Sequence, residues 1–421
     1  MAREYPLNAI DFAMAPESLQ AWWPTARAAA LHDGSMERHE LLAVLDALLQ
    51  TDDPAQFQYF VKQQGPVHRL QQEFLQWLAP RHAISHRFFQ QLSDPWNGQL
   101  PLSAVAVANA TGGLLVSLQA NQVAGGEVIV PSLNYPAMPN TVLMAGAVPH
   151  FVDVDPDTLQ LDAAAVERAL SPQTRAIVFV HMNQFGDLEP LYRVLAKHGR
   201  DLPVIQDASL ALGSVRHRVP LGVFNLGTGG TTVFSFATTK TITGLGGGMI
   251  VTHTAAMAER LMTLASHGLR AAAGIEVEEV GTNFRMPDLT AILVRVQLQR
   301  SAALLARRRQ IRAWYLDALS QVPDVVVPRV EDDAVMGHFV IRCPRRDAII
   351  GPLRHRFHIE TGLWPAHHMQ PLYQRYPGGG AGKLPITEQL AREFLFLPFH
   401  SRLQQDDVTY IGQSLAEVLR G

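Results

Sequence analysis

Residues 231–252 read TTVFSFATTKTITGLGGGMIVT, two apolar runs on either side of a polar turn that carries a single lysine, Lys240. The first run, 231–236, is rich in β-branched and aromatic residues, a composition typical of a buried strand. Glycines at 246–248 give the backbone the freedom to turn into the second run. The stretch therefore predicts two buried strands that hold an amine at the turn between them.

Lys240 has two interpretations at this position. Desolvation between strands would lower the pKa of the amine, and a deprotonated amine can attack a carbonyl, form an aldimine and later carry protons at the same carbon. The alternative is an ordinary surface lysine beside a strand, which the turn alone favours because a short motif needs its context. The rest of the chain must decide between them.

The composition restricts the kind of partner. The chain has 421 residues, enough for roughly two to three domains of about 150 residues each. Charged residues make up 17% of the chain and the formal net charge is −3, so neither nucleic acid nor an anionic membrane is favoured as a partner. The one cysteine, Cys343, excludes an intramolecular disulfide framework and a thiolate metal cluster. With no signal-peptide pattern and no membrane-length apolar run, the sequence predicts a cytoplasmic protein that binds small molecules.

From residue 103 onward, short β-rich runs alternate with helical stretches. The predicted strands are 104–108, 127–130, 149–154, 176–180, 203–206 and 232–236, and the predicted helices are 40–49, 67–78, 114–123, 163–170, 288 to about 319, and 405–419. This alternation predicts an α/β fold with a mostly parallel central sheet flanked by helices. Strand-like runs at 325–327 and 338–341 predict a smaller C-terminal α+β domain beside it.

Polar residues follow several predicted strands, at the sheet edge where ligands collect. Residues 109–113, NATGG, can open a helix whose free amides bind a phosphate with help from the Thr111 hydroxyl, although an ordinary N-cap is the simpler interpretation. Tyr135 follows the second strand, where its ring either stacks on a flat ligand or packs in the core. Residues 181–184, HMNQ, end another strand. Asp207 would need a cationic partner if buried, unless it is an N-cap.

Two other clusters have simple interpretations. The three arginines at 307–309 are predicted to form a solvated helix face. His367 and His368 are adjacent and therefore point apart on a regular element, and no carboxylate is suitably spaced from them, so no metal site is predicted.

The order of these residues resembles a known family. A phosphate turn, Tyr135, Asp207, Ser235 and Lys240, followed by NFRM at 283–286, is similar to the DegT/StrS family of pyridoxal-phosphate sugar aminotransferases. The similarity runs from about residue 65 to the C-terminus and is densest at 125–162, 202–214, 234–240, 246–252 and 281–298. It implies a fold type I pyridoxal-phosphate transferase.

The resemblance implies roles around the cofactor ring. Lys240 would form the internal aldimine with pyridoxal 5′-phosphate. Asp207 would pair with the pyridine nitrogen and keep it protonated, so that the ring acts as an electron sink. Tyr135 would stack on the ring.

It also implies a phosphate site and a partner subunit. The amides of Ala110 and Thr111, the Thr111 hydroxyl and Ser235 would hold the phosphate. Asn283 would reach the phosphate site of a neighbouring subunit, which implies a homodimer with shared active sites. His181 matches a strand-end histidine near the cofactor.

The chain departs from the family pattern at several positions. Leu210 stands where the family has a glutamine that contacts the phenolic oxygen of the cofactor, and we expect Asn183 or Gln184 to supply the missing donor. Ala110 replaces a glycine of the phosphate turn. The sequence LGGG at 245–248 stands where the family has GEGG, which removes an acid.

The resemblance implies an aminotransferase that moves an amino group from an amino acid donor to a keto acceptor, a keto sugar or a related biosynthetic intermediate. The alternative is an elimination or cyclisation enzyme of specialised metabolism on the same scaffold, since the cofactor stabilises the same carbanion for each. A third hypothesis is a non-catalytic pyridoxal-phosphate protein. The predicted domains are an N-terminal extension at 1–40, a large cofactor-binding domain at 41–295 with an insertion at 84–104, and a small domain at 296–421.

Overall fold

The computed structural model describes Leu42 and residues 65–78, 102–217, 219–224, 227–269 and 276–420. The predicted N-terminal extension, the predicted helix at 40–49 apart from Leu42, and most of the predicted insertion at 84–104 lie outside these residues.

A seven-stranded sheet forms the centre of the molecule. Its strands are β1 (Ser103–Val107), β2 (Glu127–Pro131), β3 (Val148–Val152), β4 (Thr174–Val180), β5 (Val204–Asp207), β8 (Thr231–Ser235) and β9 (Gly248–Thr252), with a separate short hairpin of β6 (Val215–Arg216) and β7 (Val219–Pro220). The strand order is β1-β9-β8-β5-β4-β2-β3. β9 runs antiparallel to its neighbours β1 and β8, and the other pairs are parallel. The predicted mostly parallel sheet is confirmed.

Helices cover both faces of this sheet. They are α1 (Pro66–Leu78), α2 (Ala110–Ala120), α3 (Ala137–Met144), α4 (Ala163–Ala169), α5 (Glu189–Lys197), α6 (Ala255–Ala265) and α7 (Asp288–Gln299). Alternate residues of β4 point to opposite faces, as the two-residue period of a strand requires. Phe179 belongs to the core that α1, α4, α5 and α7 cover, and Val178 to the core under α2, α3 and α6. Burial on both faces explains why the strands read as continuous apolar runs.

A second, smaller sheet lies in the C-terminal part of the chain. The elements there are α8 (Ser301–Leu319), β10 (Phe339–Arg342), α9 (Arg346–Phe357), a short 3₁₀ helix (His367–Met369), α10 (Pro385–Glu393), β11 (Phe394–Leu397) and α11 (Gln405–Arg420). β10 and β11 pair antiparallel. Tyr315 of α8 stacks on Phe339 of β10 with ring centroids 4.2 Å apart, within a separate apolar core. The predicted strand at 325–327 is wrong, since that run makes a single bridge, between Val326 and Arg342.

The predicted single helix from 288 to about 319 is also wrong. α7 and α8 meet at an angle of 68°. α7 packs on α1 beside the large sheet, whereas α8 packs on α11 in the C-terminal part. Apolar periodicity continues across the break, so the sequence pattern does not reveal it. Among the described helices no single one is long and apolar enough to span a membrane, although α7 and α8 taken together pass that test.

The three arginines of α8 do not share one environment. Arg309 is exposed, as predicted, but the Arg308 side chain is only 5% exposed. Arg307 donates to the carbonyl oxygens of Ser401 and Leu403. The prediction of a solvated face is therefore wrong for Arg308, because α8 turns this residue toward Gly337 and Phe399 rather than toward solvent.

Candidate active site

The turn between β8 and β9 holds Lys240 close to the carboxyl edge of the parallel strands. The turn is folded back on itself, with the amides of Gly244 and Gly246 both donating to the carbonyl of Phe236. Burial lowers the pKa of Lys240 to about 8, while the charge of Asp207 opposes the shift and that of Arg308 adds to it. A substantial fraction of the amine is therefore neutral near pH 8, as a nucleophilic lysine requires.

Asp207 ends β5, the strand next to β8 in the sheet. Its carboxylate is buried, and Oδ1 accepts a hydrogen bond of 2.9 Å from the amide of Ser209. Burial raises the pKa of Asp207, and the hydrogen bonds from Ser209 and the charge of Lys240 partly offset that rise. A buried carboxylate with one amide donor is well suited to a cationic partner such as a protonated ring nitrogen.

The phosphate turn follows β1. Asn109 caps α2, since its Oδ1 accepts from Gly112 N at 2.7 Å and its carbonyl accepts from Gly113 N. Asn109 thus caps the amides of Gly112 and Gly113 and leaves those of Ala110 and Thr111, the first two of the helix, for a ligand. The interpretation as an N-cap and the interpretation as an anion site are therefore compatible. Ser235, the last residue of β8, lies at the same edge, and its Oγ accepts from Ala237 N at 3.4 Å.

Tyr135 follows β2 and is 60% exposed. The interpretation as a packed core tyrosine is therefore wrong, and the ring has a face available for stacking. The loop before it is held by a pair of hydrogen bonds that sequence reasoning missed. Ser132 Oγ donates to Nδ1 of His368 at 2.7 Å, and Nε2 of the same imidazole donates to Glu388 at 3.3 Å.

His367 holds the same loop from the other side. Its amide donates to the carbonyl of Ser132 at 3.0 Å, and its Nε2 donates to the carbonyl of Asn134 at 2.7 Å. Burial lowers the pKa of His367 to about 4, so the ring is neutral at physiological pH. Both histidines thus have partners that fix the Tyr135 loop, and within the described residues no group of three His, Cys, Asp or Glu side chains is arranged to hold a metal ion.

Asn283 is exposed and lies near the phosphate turn, because the carbonyl of the next residue, Phe284, accepts from Ala108 N at 2.6 Å. A Cβ on Gly112 would come within 2.8 Å of the Phe284 ring, so this segment packs directly against the start of α2. Asn283 Oδ1 accepts from Nε of Arg285 at 2.9 Å. Its predicted reach into a second subunit stays a prediction.

Together these groups fit pyridoxal phosphate. The amine of Lys240 suits its carbonyl, the buried Asp207 suits its ring nitrogen, and the first amides of α2 suit its phosphate. A model of the DegT/DnrJ/EryC1/StrS aminotransferase family matches residues 101–416. The chain belongs to this family.

Solved structures of aminotransferases resemble the chain over nearly its whole length. DesV of S. venezuelae, solved in complex with a ketimine intermediate, is 26% identical, with a TM-score of 0.75 over 97% of this chain and 96% of DesV. DesI, solved in the presence of its TDP-sugar product, is 28% identical, with a TM-score of 0.75 over 92% of each chain. The aminotransferase TlmJ from Streptoalloteichus hindustanus is 26% identical, with a TM-score of 0.77 over 93% of this chain and 99% of TlmJ. The predicted fold type I architecture and the predicted enzyme class, a pyridoxal-phosphate-dependent aminotransferase, are confirmed.

Leu210, the main departure from the DegT/StrS pattern, is buried in an apolar cluster that also holds Leu133, Met182 and Phe396. Its carbonyl accepts from Gly337 N at 2.8 Å, which ties the loop after β5 to the loop before β10. Where the resemblance implies a polar donor, this chain thus has an apolar contact between the two sheets.

Asn183 and Gln184 bind the C-terminal part of the chain. Oδ1 of Asn183 accepts from the amides of Gly337 and His338, at 3.1 and 3.0 Å, and the residue holds a left-handed backbone with φ of 58°. Both ends of the Gln184 amide are used, since Nε2 donates to the carbonyl of Arg329 and Oε1 accepts from Glu331 N. Asn183 keeps both N–H groups of Nδ2 and Gln184 one N–H of Nε2 for a ligand, and the expectation that one of them supplies the missing donor stays a prediction.

His181 lies at the end of β4 but uses both ring nitrogens inside the protein. Nδ1 accepts from Gly186 N at 3.0 Å, and Nε2 donates to Oε1 of Gln206 at 2.9 Å. Burial lowers the pKa of His181 to about 4, which keeps the ring neutral. No ring nitrogen is left to bond a ligand, so its predicted place near the cofactor stays a prediction of contact through the ring and not of a hydrogen bond.

Proposed function

We propose that this aminotransferase moves an amino group from an amino acid donor to a keto acceptor, with Lys240 as both the attachment point of the cofactor and the proton carrier. One observation carries the proposal: the Lys240 amine, with a pKa of about 8, lies near a buried carboxylate, Asp207, on the adjacent strand. An ordinary surface lysine would have neither the lowered pKa nor the buried acid.

The residues have distinct tasks in this proposal. When bound, pyridoxal phosphate supplies an electron sink for negative charge at the substrate Cα. Asp207 holds the ring nitrogen in its protonated form. Lys240 would hold the cofactor at its carbonyl carbon, and its amine would take the proton from the substrate Cα.

The phosphate and the ring face complete the site. The amides of Ala110 and Thr111, the Thr111 hydroxyl and Ser235 bind the phosphate, and Tyr135 covers one face of the ring. Asn283, exposed beside the phosphate turn, completes the phosphate site of a second copy of the chain, so the active form is a homodimer with shared sites. Asn183 remains in the cofactor set through Nδ2, as a donor to the phenolic oxygen.

The acceptor we propose is a keto sugar or a related biosynthetic intermediate. DesI, one of the similar proteins, was solved in the presence of its TDP-sugar product, and the matching family model is one of aminotransferases. The sequence at 84–104 has no clear counterpart in the family pattern. A non-nucleotide acceptor is therefore compatible with the proposal.

Leu210 favours a second candidate, elimination or cyclisation on the same scaffold. Its apolar side chain cannot donate a hydrogen bond to the phenolic oxygen of the cofactor. Such a hydrogen bond influences how charge is distributed over the cofactor ring. Transamination remains the first candidate because Lys240 and Asp207 are both in place.

The test uses the purified protein loaded with pyridoxal phosphate. In transamination, glutamate, glutamine or alanine converts the visible absorption band of the lysine-bound cofactor into that of the amine form, and Lys240→Ala abolishes turnover. Lys383→Ala, which removes an exposed lysine, serves as the matched control. Release of ammonia without an acceptor would favour elimination, and no response to any amino acid would support the non-catalytic hypothesis. Activity that survives Lys240→Ala would contradict the proposed mechanism.

A further inference from the structure

Asn283 is an exposed amide whose orientation is fixed by a cation. Its Oδ1 accepts a hydrogen bond of 2.9 Å from Nε of Arg285. An arginine side chain can only donate, so the amide oxygen faces Arg285 and the amide nitrogen points away from it. Among the residues that the structure describes, no protein group accepts from Nδ2 of Asn283. The side chain therefore presents its N–H donors, rather than its oxygen, to a group that approaches from outside.

Arg285 is itself held by a neighbouring side chain. Its Nη2 donates to Nε2 of His267 at 3.4 Å, so the imidazole accepts through this nitrogen. Imidazole, guanidinium and amide thus form a chain of hydrogen bonds that ends at Nδ2 of Asn283.

The backbone next to Asn283 is fixed from two directions. The amide of Phe284 donates to the carbonyl of Ala265 at the end of α6, at 2.9 Å. The carbonyl of Phe284 accepts from Ala108 N at 2.6 Å, directly after β1. Because β1 leads into the phosphate turn, Asn283 lies on a well-anchored segment beside that turn.

An amide in this orientation suits an anion. The hydrogen bond from Arg285 is charge-assisted and polarises the Asn283 amide, which strengthens its N–H groups as donors. A phosphate ester carries about two negative charges at neutral pH and offers acceptor oxygens. The same amide turned round would present its oxygen and repel the phosphate.

We propose that Arg285 is a positioning residue for the cofactor phosphate of a second copy of the chain. This inference rests on the proposed function, in which Asn283 completes the phosphate site of that copy. Arg285 does not touch the phosphate; it turns the donors of Asn283 outward and strengthens them. The two sites of the homodimer then depend on each other, because each phosphate is held by an amide that the opposite chain orients.

The experiment compares pyridoxal phosphate with pyridoxal, which lacks the phosphate. The apparent Kd of each is measured from the visible absorption of the lysine-bound form. We expect Arg285→Met to raise the Kd of pyridoxal phosphate by about ten-fold, the effect of roughly one hydrogen bond to a charged group, and to leave that of pyridoxal unchanged. Arg309→Met, which removes an exposed arginine of α8, is the control and should change neither value.

The ratio of the two Kd values is measured within one protein preparation, so partial misfolding of a variant affects both ligands alike. An equal loss for both ligands would assign Arg285 to the stability of the fold and overturn the proposal. An unchanged pair of Kd values in Arg285→Met would overturn it as well.

A double variant separates orientation of the amide from a direct effect of the charge. Asn283→Ala should change the ratio of Kd values at least as much as Arg285→Met does. Adding Arg285→Met to Asn283→Ala should then change the ratio no further, because the group that Arg285 positions is already absent. Additive losses would mean that Arg285 acts without Asn283, and would overturn the positioning role.

A mixed dimer tests whether the effect crosses to the second copy. Chains with Lys240→Ala and chains with Arg285→Met are co-expressed with different affinity tags and purified through both tags. Lys240 is then present only in the Arg285→Met chain, and the opposite chain supplies Asn283 with an intact Arg285. We expect this site to bind pyridoxal phosphate with wild-type affinity. Affinity as weak as in Arg285→Met alone, or failure to recover a mixed dimer, would overturn the proposal.

None of these measurements requires turnover, so they separate this inference from the proposed transamination. If the expected ratios are found but no amino acid donor reacts, transamination fails and the positioning role stands. If donors react but the ratio is the same in wild type and Arg285→Met, the positioning role is overturned and transamination stands.

Discussion

Ser132 Oγ lies 2.7 Å from Nδ1 of His368, although 236 positions separate the two residues in the sequence. The serine begins the loop that carries Tyr135, and the histidine belongs to the 3₁₀ helix of the C-terminal part. The hydrogen bond from the same imidazole to Glu388 fixes which nitrogen carries the proton. The ring that would stack on the cofactor is therefore positioned by residues near the other end of the chain.

We expect His368→Ala to weaken cofactor binding, because the Ser132–Tyr135 loop loses its support. Removing a buried hydrogen-bonding partner should also lower the free energy of unfolding by about 1–3 kcal/mol. A loss of about 1.4 kcal/mol in cofactor binding corresponds to a roughly ten-fold rise in Kd. Cofactor fluorescence and urea unfolding measure the two effects. His355→Ala changes an exposed histidine of α9 and is the control; an unchanged Kd in His368→Ala would contradict the positioning role.

The stability of the protein should fall as the pH is lowered from about 6.5 to about 4. Burial lowers the pKa of both His181 and His367 from 6.5 to about 4. Between these values the unfolded chain binds protons that the folded chain does not. The contribution of these histidines to the free energy of unfolding is therefore fully present above pH 6.5 and is lost as the pH falls toward 4. Each histidine contributes a slope of up to about 1.4 kcal/mol per pH unit. Urea unfolding at several pH values measures it, and His367→Asn should reduce the slope; the same slope in that variant would refute the assignment.

The sequence predicts the sheet well because its strands are buried on both faces. The run at 176–180 lies within β4, and the run at 127–130 within β2, since continuous β-branched segments have few other stable conformations in a folded protein. The residues at the strand ends could be identified for the same reason, because a polar residue directly after a buried strand is exceptional.

Other features depend on contacts that no local pattern contains. The bend between α7 and α8 follows from packing against two different parts of the molecule, and the apolar period continues through it. Arg308 has arginines on both sides, so its burial is visible only when Gly337 and Phe399 are found beside it. The sequence does not show what His367 and His368 bind, because their partners, Asn134 and Ser132, are more than two hundred residues away.

The rate of cofactor attachment should rise with pH and level off above about pH 8. Lys240 reacts as the neutral amine, and its pKa of about 8 sets the inflection, whereas an ordinary lysine would give one near 10.5. Asp207→Asn should move the inflection to lower pH, because the carboxylate stabilises the charged amine. Arg308→Gln should move it to higher pH, because a repelling charge is removed. Absorbance after mixing cofactor-free protein with pyridoxal phosphate gives the rate; shifts in the opposite directions would show that these charges do not act on Lys240.

Leu210→Gln tests whether the loss of the polar donor matters to the reaction. The new amide would enter a buried apolar cluster, so we expect the free energy of unfolding to fall by about 1–3 kcal/mol unless a ligand satisfies it. If the glutamine reaches the phenolic oxygen of the cofactor, the absorption band of the bound cofactor should shift, and binding of the cofactor should restore part of the lost stability. Leu210→Met, which keeps the position apolar, should lower stability by less than about 1.5 kcal/mol and leave the band unchanged. Identical spectra for the two variants would mean that position 210 does not reach the cofactor in this protein, and Leu210 would then be no argument for elimination or cyclisation.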